Sequence, residues 1–320
     1  MTMQGTAVYI QVTTALRQLA LANPWNSDGM LPPEPALMER FQVSRGTLRR
    51  ATEELVREGL LRPDRGRGTY ISRQVQLRAL MKGVLAEIAI PDSRWHLDTL
   101  RFVPDFVGSS EVHDLIREMK DYQAANTLFI APDNSLNGLI CQALDDGKRV
   151  VVPTYGMRRG MVLLDPTTVP EIHREFASTL DGLERFGHHL SLDALRELGS
   201  IDMLVTGAIA FTRGGVHVGS GDAFLDIEWG LLCELGLVQP DTSIVGVSHP
   251  AQIVDIELTP KALDITVDTL VTPEGVSSTG TTHHRPTGIV WSQLDDERLA
   301  TISYLSELRP SLHDWTVPSL

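Results

Sequence analysis

The sequence is poor in cysteine and contains no long apolar run. Its 320 residues include only two cysteines, Cys141 and Cys233, far apart and without the spacing of metal ligands. That excludes a disulfide framework and a zinc ribbon. No stretch approaches the roughly 18 apolar residues that a membrane-spanning helix needs, and the start MTMQGT lacks a signal-peptide pattern. We therefore expect a cytoplasmic protein.

The overall composition has no extreme. Hydrophobic residues make up 42% and charged residues 22% of the chain, which excludes a collagen-like or mostly disordered protein. The length favours two domains and allows at least one sizeable core.

Lysine is absent from the first 75 residues, although the segment is basic. It contains ten arginines and seven acidic residues, net +3, whereas the remainder carries net −16 within a total of −13. A basic segment on an acidic body is typical of a small anion-binding module attached to a domain that DNA phosphates repel. An ordinary fluctuation of surface charge explains the numbers equally well, so the motifs inside the segment must decide.

The basic segment contains the pattern of two short helices joined by a tight connection at Gln42 and Val43. Ser44 is expected to cap the second helix by accepting from a free amide of its first turn. Leu48, Ala51 and Leu55, at spacings of three and four, form the buried stripe of that helix. The pattern predicts a helix-turn-helix.

The opposite face of the second helix is basic. Arg45 and Arg49 are four residues apart and project side by side, with Thr47 and Arg50 flanking them. They occupy the half of a recognition helix that enters the major groove of DNA. A solvated helix face is the alternative for this arginine group taken alone.

A wing is predicted after Gly59, with strands at Leu60–Arg62 and Thr69–Ser72. Glycines in the turn permit close backbone approach to DNA, and the arginines between them are expected along phosphates or in the minor groove. The predicted DNA-binding residues are Ser44, Arg45, Thr47, Arg49, Arg50, Arg65, Gly66, Arg67 and Gly68.

Residues 8 to 73 resemble the winged-helix DNA-binding domain of the GntR family of bacterial transcription regulators. The matching motifs are Tyr9, Leu31-Pro32-Pro33-Glu34, Val43-Ser44-Arg45-Gly46-Thr47-Leu48-Arg49, Glu58-Gly59-Leu60 and Gly66-Arg67-Gly68-Thr69. The resemblance implies that Arg45, Thr47 and Arg49 meet DNA through the recognition helix and that Arg67 and Gly68 meet it through the wing. Pro35 departs from the family pattern, in which an arginine often adds a further contact.

Beyond residue 73 the pattern changes to that of an α/β domain. An apolar stripe predicts a linker helix over residues 74–97. Short apolar runs then alternate with helical segments, which predicts a mostly parallel sheet covered on both faces. The runs are TLFIAPD, RVVVPTY, IDMLVTGAIAF, SIVGVSH and ITVDTLVTP. The tail after about residue 295 predicts one amphipathic helix ending at Pro310, packed on the body or on a second subunit.

Ligands of such sheets bind beyond the carboxyl ends of the strands. The loop Gly219-Ser220-Gly221 is expected between a hairpin arm and a helix beginning near Asp226, where backbone amides surround an anion. An empty turn is the alternative, because Asp222, Asp226 and Glu228 repel phosphate. The predicted ligand-binding residues are Tyr155, Arg158, Thr206, Gly207, Gly219, Ser220, Gly221, Asp226, Glu228 and His249.

Residues 98 to 277 resemble the 5-formyltetrahydrofolate cyclo-ligase (methenyltetrahydrofolate synthetase) family, especially its paralogous branch. The matching motifs include Pro153-Thr154-Tyr155-Gly156-Met157-Arg158, Val205-Thr206-Gly207-Ala208, Gly219-Ser220-Gly221 with Leu225-Asp226-Ile227-Glu228-Trp229, and His249 with Gln252-Ile253-Val254-Asp255. The resemblance implies a three-layer α/β/α fold and ATP binding at the glycine loop. The expected domains are a winged helix over 1–73, the linker over 74–97 and the cyclo-ligase-like domain over 98–320.

One departure bears on chemistry, because Ser220 stands where the paralogous branch carries lysine. Loss of one such contact costs roughly 3 to 4 kcal/mol of transition-state stabilisation. ATP with Mg is therefore expected only if the protein is an enzyme. No metal site is expected otherwise, since the neighbouring histidines His188-His189 and His283-His284 point apart and lack partners at ligand spacing.

The sequence favours a homodimeric transcription regulator whose body senses a small metabolite, such as a folate, a nucleotide or a phosphorylated compound. The alternatives are an ATP-dependent cyclo-ligase-like enzyme with a regulatory DNA-binding head, and a protein with both functions. Double-stranded operator DNA is the partner expected for the head.

Overall fold

The computed structural model describes residues 8–22, 29–64, 66–91, 103–261, 263–294 and 296–308. The chain divides into two compact units, Met1–Gly83 and Val84–Leu320. No helix within the described residues is long and apolar enough to cross a membrane.

The first unit, the head, is a winged helix-turn-helix. Its elements are α1 Val8–Ala22, α2 Glu34–Phe41, α3 Arg45–Arg57, β1 Leu61–Asp64, β2 Gly68–Ile71 and the start of α4 Arg73–Ile88. Strands β1 and β2 pair antiparallel, with Arg62 opposite Tyr70. The fold prediction is confirmed, with the wing strands shifted by one or two residues from their expected bounds.

Helix α3 forms where the sequence places its signals. The Ser44 hydroxyl accepts a hydrogen bond from the amide of Thr47 at 3.2 Å, which satisfies a free donor of the first turn. Leu48, Ala51 and Leu55 are buried against α1 and α2. The helix ends before Gly59, whose φ of +77° is the left-handed conformation that glycine adopts without strain.

The linker helix predicted over residues 74–97 corresponds to α4, which ends at Ile88; residues 92–97 lie outside the described residues. Leu77, Met81 and Leu85 are buried, as a stripe requires. Leu80 is 66% exposed and does not belong to that stripe. The apolar face of this helix is therefore narrower than the sequence pattern indicates.

The second unit, the body, is built on an α/β plan. Its helices are α5 Ser109–Arg117, α6 Lys120–Ala124, α7 Asn137–Asp145, α8 Arg174–Ala177, α9 Leu180–Phe186, α10 Leu192–Glu197, α11 Phe224–Glu234, α12 Asp296–Thr301 and α13 Ser303–Leu308. Its strands are β3 Thr127–Ile130, β4 Arg149–Pro153, β5 Met161–Leu164, β6 His188–Leu190, β7 Met203–Gly207, β8 Ala210–Thr212, β9 His217–Val218, β10 Ser243–Val247, β11 Ile253–Val254, β12 Thr269–Thr272 and β13 Gly275–Ser278.

The central sheet has eight strands in the order β13-β12-β10-β7-β3-β4-β5-β6. The five strands from β12 to β4 are parallel. Strands β13 and β5 run antiparallel to them, and the edge strand β6 pairs antiparallel with β5. A second sheet has the order β11-β8-β9. Helix α7 connects the parallel strands β3 and β4, and α11 lies in the connection from β7 to β10, as crossovers between parallel strands require.

Alternate residues of the central strands pack into two separate cores. Phe129 and Leu204 pack with side chains of α10, α11 and α13, whereas their neighbours Leu128 and Met203 pack with side chains of α5 and α7. Since successive strand residues point to opposite faces, helices cover both sides of the sheet. The predicted three-layer α/β/α architecture is confirmed.

Two details of the prediction are wrong. The apolar run at 201–211 is not one strand, because the chain leaves the central sheet after Gly207 and β8 joins the second sheet instead. Burial is continuous across the break, so the apolar pattern does not reveal it.

The tail is not one helix either, since α12 and α13 separate at Ile302, and Pro310 lies outside the described residues. Helix α13 packs on the body itself. Its Tyr304 hydroxyl donates to the carbonyl of Leu190 and accepts from the amide of Met161.

Candidate nucleic-acid interface and ligand site

The exposed face of α3 presents the arginines that the sequence predicts. The side chains of Arg45 and Arg49 are 64% and 58% exposed, and their backbone belongs to a helix that is capped and packed on its other side. Beside them the Thr47 hydroxyl lies 2.9 Å from the Ser44 hydroxyl. Ser44 therefore serves the helix start, and the two arginines remain at the surface.

Glu34, at the first position of α2, is a residue that the site prediction missed. Its carboxylate accepts from Nε of Arg45 at 2.8 Å and from Nε of Arg49 at 3.3 Å. These two hydrogen bonds hold the pKa of the Glu34 carboxyl below its ordinary value, and the bond from Arg45 has the larger effect. The Leu-Pro-x-Glu motif was the available signal, although its spacing from α3 does not show which side chains it meets.

Arg50 points to a different neighbour. Its guanidinium carbon lies 3.8 Å from the centre of the Tyr9 ring, a cation–π contact that joins α3 to α1. Arg50 is exposed, but the stacking separates it from the pair formed by Arg45 and Arg49. The predicted DNA-binding side chains of α3 thus form two groups.

The wing has the backbone that its glycines predict. Gly66 and Gly68 have φ of +78° and +131°, and the amide of Arg67 donates to the carbonyl of Asp64 across the turn. The side chain of Arg67 is exposed. Arg65 lies outside the described residues.

In the body, the carboxyl ends of the parallel strands bring the predicted ligand loops together. The carboxylate of Asp133, after β3, accepts from the amide of Gly207 at the end of β7, at 3.0 Å. The Nε2 of His217, on β9, donates to the carbonyl of Gly207, also at 3.0 Å. Thr206 is buried and donates to that same carbonyl. Hydrogen bonds to Gly207 therefore connect the loop after β3, the end of β7 and strand β9.

The glycine loop is followed by α11, which begins at Phe224, two residues before Asp226. The hydroxyl of Ser220 donates to the carboxylate of Asp222 at 2.9 Å. A Cβ placed on Gly156 would lie 3.3 Å from the Phe224 ring. The turn Tyr155–Met157 therefore closes against the start of α11.

Two residues of these loops adopt the left-handed conformation without being glycine. Met157 and Ala223 have φ of +49° and +56°, a conformation that costs roughly 1 to 3 kcal/mol per residue. Such strain clusters at functional sites because the surrounding structure must hold it. Both residues flank the place where Phe224 meets Gly156.

The acidic residues of this region differ in charge. Burial, and then the neighbouring carboxylates of Asp133 and Asp226, raise the pKa of Glu228 to about 8. Burial raises the pKa of Asp226 to about 7, although the carboxylate accepts from the amide of Ile265. Glu228 is therefore mostly protonated at neutral pH, and the site is less negative than its sequence indicates.

The remaining predicted ligand residues lie around the same edge. His249 follows β10, its Nδ1 accepts from the amide of Ala251, and its ring contacts Phe106 edge-on at 5.8 Å. In its neutral form this histidine carries its proton on Nε2. Arg158 follows the turn Tyr155–Met157 and is exposed.

These residues are a poor fit for a nucleoside triphosphate. Ser220 supplies a hydroxyl where a cation would neutralise phosphate, and that hydroxyl is engaged with Asp222. Within the part of the chain that the structure describes, no three His, Cys, Asp or Glu side chains are grouped to hold a metal ion.

Comparison with known proteins accounts for both units. Residues 71–273 match the sequence model of the 5-formyltetrahydrofolate cyclo-ligase family. The chain belongs to this family. Residues 8–71 match the model of bacterial regulatory proteins of the gntR family, so this family member carries a GntR-type DNA-binding domain at its N-terminal end, as the two resemblances predict.

Three relatives illustrate the two parts. The methenyltetrahydrofolate synthase domain-containing protein of Mus musculus is 30% identical over 214 residues, 65% of this chain and 56% of that protein. The HTH-type transcriptional repressor NagR of Bacillus subtilis is 37% identical over 73 residues, 23% of this chain and 30% of the repressor. The DNA-binding domain of AraR, solved with an operator, is 32% identical and covers 22% of this chain and 87% of that one, with a TM-score of 0.21.

The chain spans about half the length of the curated cyclo-ligase relatives that it matches. The matches to NagR and AraR cover 23% and 22% of this chain.

Proposed function

We propose that the protein is a transcription regulator that binds operator DNA through its head and senses a small metabolite through its cyclo-ligase-like body. The observation that carries the proposal is the face of α3, where exposed Arg45 and Arg49 stand on a capped, packed helix next to a wing. This is the arrangement that reads base edges in a major groove.

The regulator acts as a homodimer in this proposal. One head neutralises few phosphates, and two heads related by a twofold axis span half-sites about one helical turn apart. A palindromic operator follows from that symmetry.

The effector binds at the carboxyl ends of β3, β4, β7 and β10, among the loops that contain Asp133, Tyr155, Gly207 and His249. The support is their convergence at one edge of a parallel sheet, the place where such folds bind ligands. A folate, a nucleotide or a phosphorylated compound is the class that the family suggests. By linkage, the effector changes operator affinity by the same factor as DNA changes effector affinity.

The proposal is tested by fluorescence anisotropy with the full chain and duplexes selected by it from a random library. We expect enrichment of a palindrome and its loss in Arg49→Ala. Arg57→Ala is the matched control, because Arg57 is equally exposed at the far end of α3 and pairs with Glu54. Absence of any enriched sequence at moderate salt overturns the proposal.

An ATP-dependent cyclo-ligase-like activity is the second candidate, favoured by membership of the family. It is tested by ADP release in the presence of 5-formyltetrahydrofolate. No turnover in the parent or in Ser220→Lys excludes it, whereas turnover together with operator binding establishes both functions.

A further inference from the structure

Glu34 links the two arginines of the recognition helix from outside that helix. Its two carboxylate oxygens are divided between them, Oε2 accepting from Arg45 at 2.8 Å and Oε1 from Arg49 at 3.3 Å. One side chain of α2 thus holds two side chains of α3 that are a single helical turn apart.

The nitrogen atoms used in these bonds determine which N–H donors of the two arginines remain available to DNA. Both arginines donate through Nε, and no terminal nitrogen of either donates to another described residue. A guanidinium bound at Nε keeps its two terminal nitrogens on the opposite edge. Two parallel N–H donors on that edge match O6 and N7 of guanine.

The charge of Glu34 acts in a second way. Its carboxylate is 41% exposed beside the two cations and repels phosphate oxygens that approach the same face. Non-specific binding depends almost wholly on phosphates, whereas guanine presents two acceptors that the terminal N–H groups of an arginine satisfy directly. A carboxylate here therefore weakens contact with random DNA more than contact with the correct bases.

From this geometry we infer that Glu34 is a positioning residue for base reading. It holds the guanidinium groups of Arg45 and Arg49 side by side with their terminal N–H donors available to bases, and it disfavours contact with phosphate. Glu34 therefore sets the preference for operator over random DNA. The inference rests on the proposed DNA-binding function. It assigns no base contact to Glu34 itself.

The test uses the full chain with Glu34→Gln, which keeps the size of the side chain and removes its charge. Glu39→Gln is the matched control, since it makes the same charge change at an exposed position of the same helix. Anisotropy is measured on a duplex selected by the parent from a random library and on random duplex, at several salt concentrations. Thermal unfolding of each variant checks that the head remains folded.

We expect Glu34→Gln to lower the ratio of selected to random affinity by roughly tenfold, within the discrimination that bidentate arginine contacts supply. Random affinity should rise by about two- to threefold, since one negative charge has left the interface. Glu34→Asp, which keeps the charge, should lie between parent and Glu34→Gln, and Glu39→Gln should leave the ratio unchanged.

A double-mutant comparison separates positioning from a direct role. In an Arg45→Ala, Arg49→Ala background the further change Glu34→Gln should no longer alter the ratio, because no arginine is left to position and the remaining phosphate repulsion acts on both duplexes alike. An unchanged ratio in Glu34→Gln, or a loss that persists without the two arginines, overturns the inference while DNA binding stands. Failure of the parent to enrich any sequence instead overturns the proposed function itself.

Discussion

Asp133 and Gly207 join the ends of two neighbouring parallel strands through one hydrogen bond, from the Gly207 amide to the Asp133 carboxylate at 3.0 Å. The bond holds a carboxylate beside Gly207, whose carbonyl also accepts from His217 on the strand that precedes the glycine loop. The absence of a side chain at 207 is part of this arrangement, because a Cβ there would lie 2.8 Å from the Asp133 oxygen.

Gly207→Ala should therefore displace Asp133. A Cβ at this position also meets Val103 at 3.3 Å, and overpacking of this kind lowers the free energy of unfolding by about 1 to 3 kcal/mol. Urea unfolding measures the change. Gly83→Ala is the control, since nothing lies within 4 Å of a Cβ added there, and alanine in a helix should stabilise by about 0.5 to 1 kcal/mol. An unfolding midpoint equal to that of the parent would count against a tight contact at Gly207.

Ser44→Ala should weaken the start of α3. The amide of Thr47 loses its acceptor, which costs about 1 kcal/mol of stability, and the arginine pair stands on the same turn. We expect a lower melting temperature of the head and weaker operator binding. Ser44→Asp keeps an acceptor for the Thr47 amide and should retain most of the stability; equal losses in both variants would show that the cap is not the cause.

Arg50→Ala should weaken DNA binding without changing which sequence is preferred. The Arg50 guanidinium stacks on Tyr9, away from the pair held by Glu34, so a phosphate is the contact within its reach. Binding to all duplexes should fall together and the slope of log affinity against log salt should drop by about one. Arg49→Ala is the comparison and should lower the preference for the selected duplex; a similar loss of preference in Arg50→Ala would place Arg50 on a base.

Glu228→Gln should change how stability depends on pH. The pKa of the Glu228 carboxyl is raised from 4.5 to about 8, first by burial, so the folded chain keeps a proton that the unfolded chain releases. This group therefore stabilises the fold fully below pH 4.5 and loses that contribution as pH rises through about 8.

Glutamine cannot ionise, and the stability of the variant relative to the parent should rise by about 4 kcal/mol between pH 5 and pH 9. Urea unfolding across that range measures it. Glu234→Gln, exposed on the same helix, serves as control. Parallel pH curves for parent and Glu228→Gln would show that Glu228 is ionised in the folded chain.

The sequence by itself determined the elements whose signals are local. The Ser44 cap, the stripe of Leu48, Ala51 and Leu55, and the wing glycines depend on residues a few positions apart, and helix or turn geometry converts that spacing directly into structure. The alternation of apolar runs and helices likewise determined the α/β class, because a strand buried on both faces is apolar throughout.

Tertiary structure alone decided which side chains of the sites meet. Glu34 reaches α3 from another helix, Arg50 turns to Tyr9 on α1, and Asp133 binds the amide of Gly207 from a different strand. The protonation of Glu228 was decided in the same way. The pKa of this carboxyl is raised because folding removes its water and brings other carboxylates close. Neither the burial nor the proximity of those charges can be read from the order of the residues.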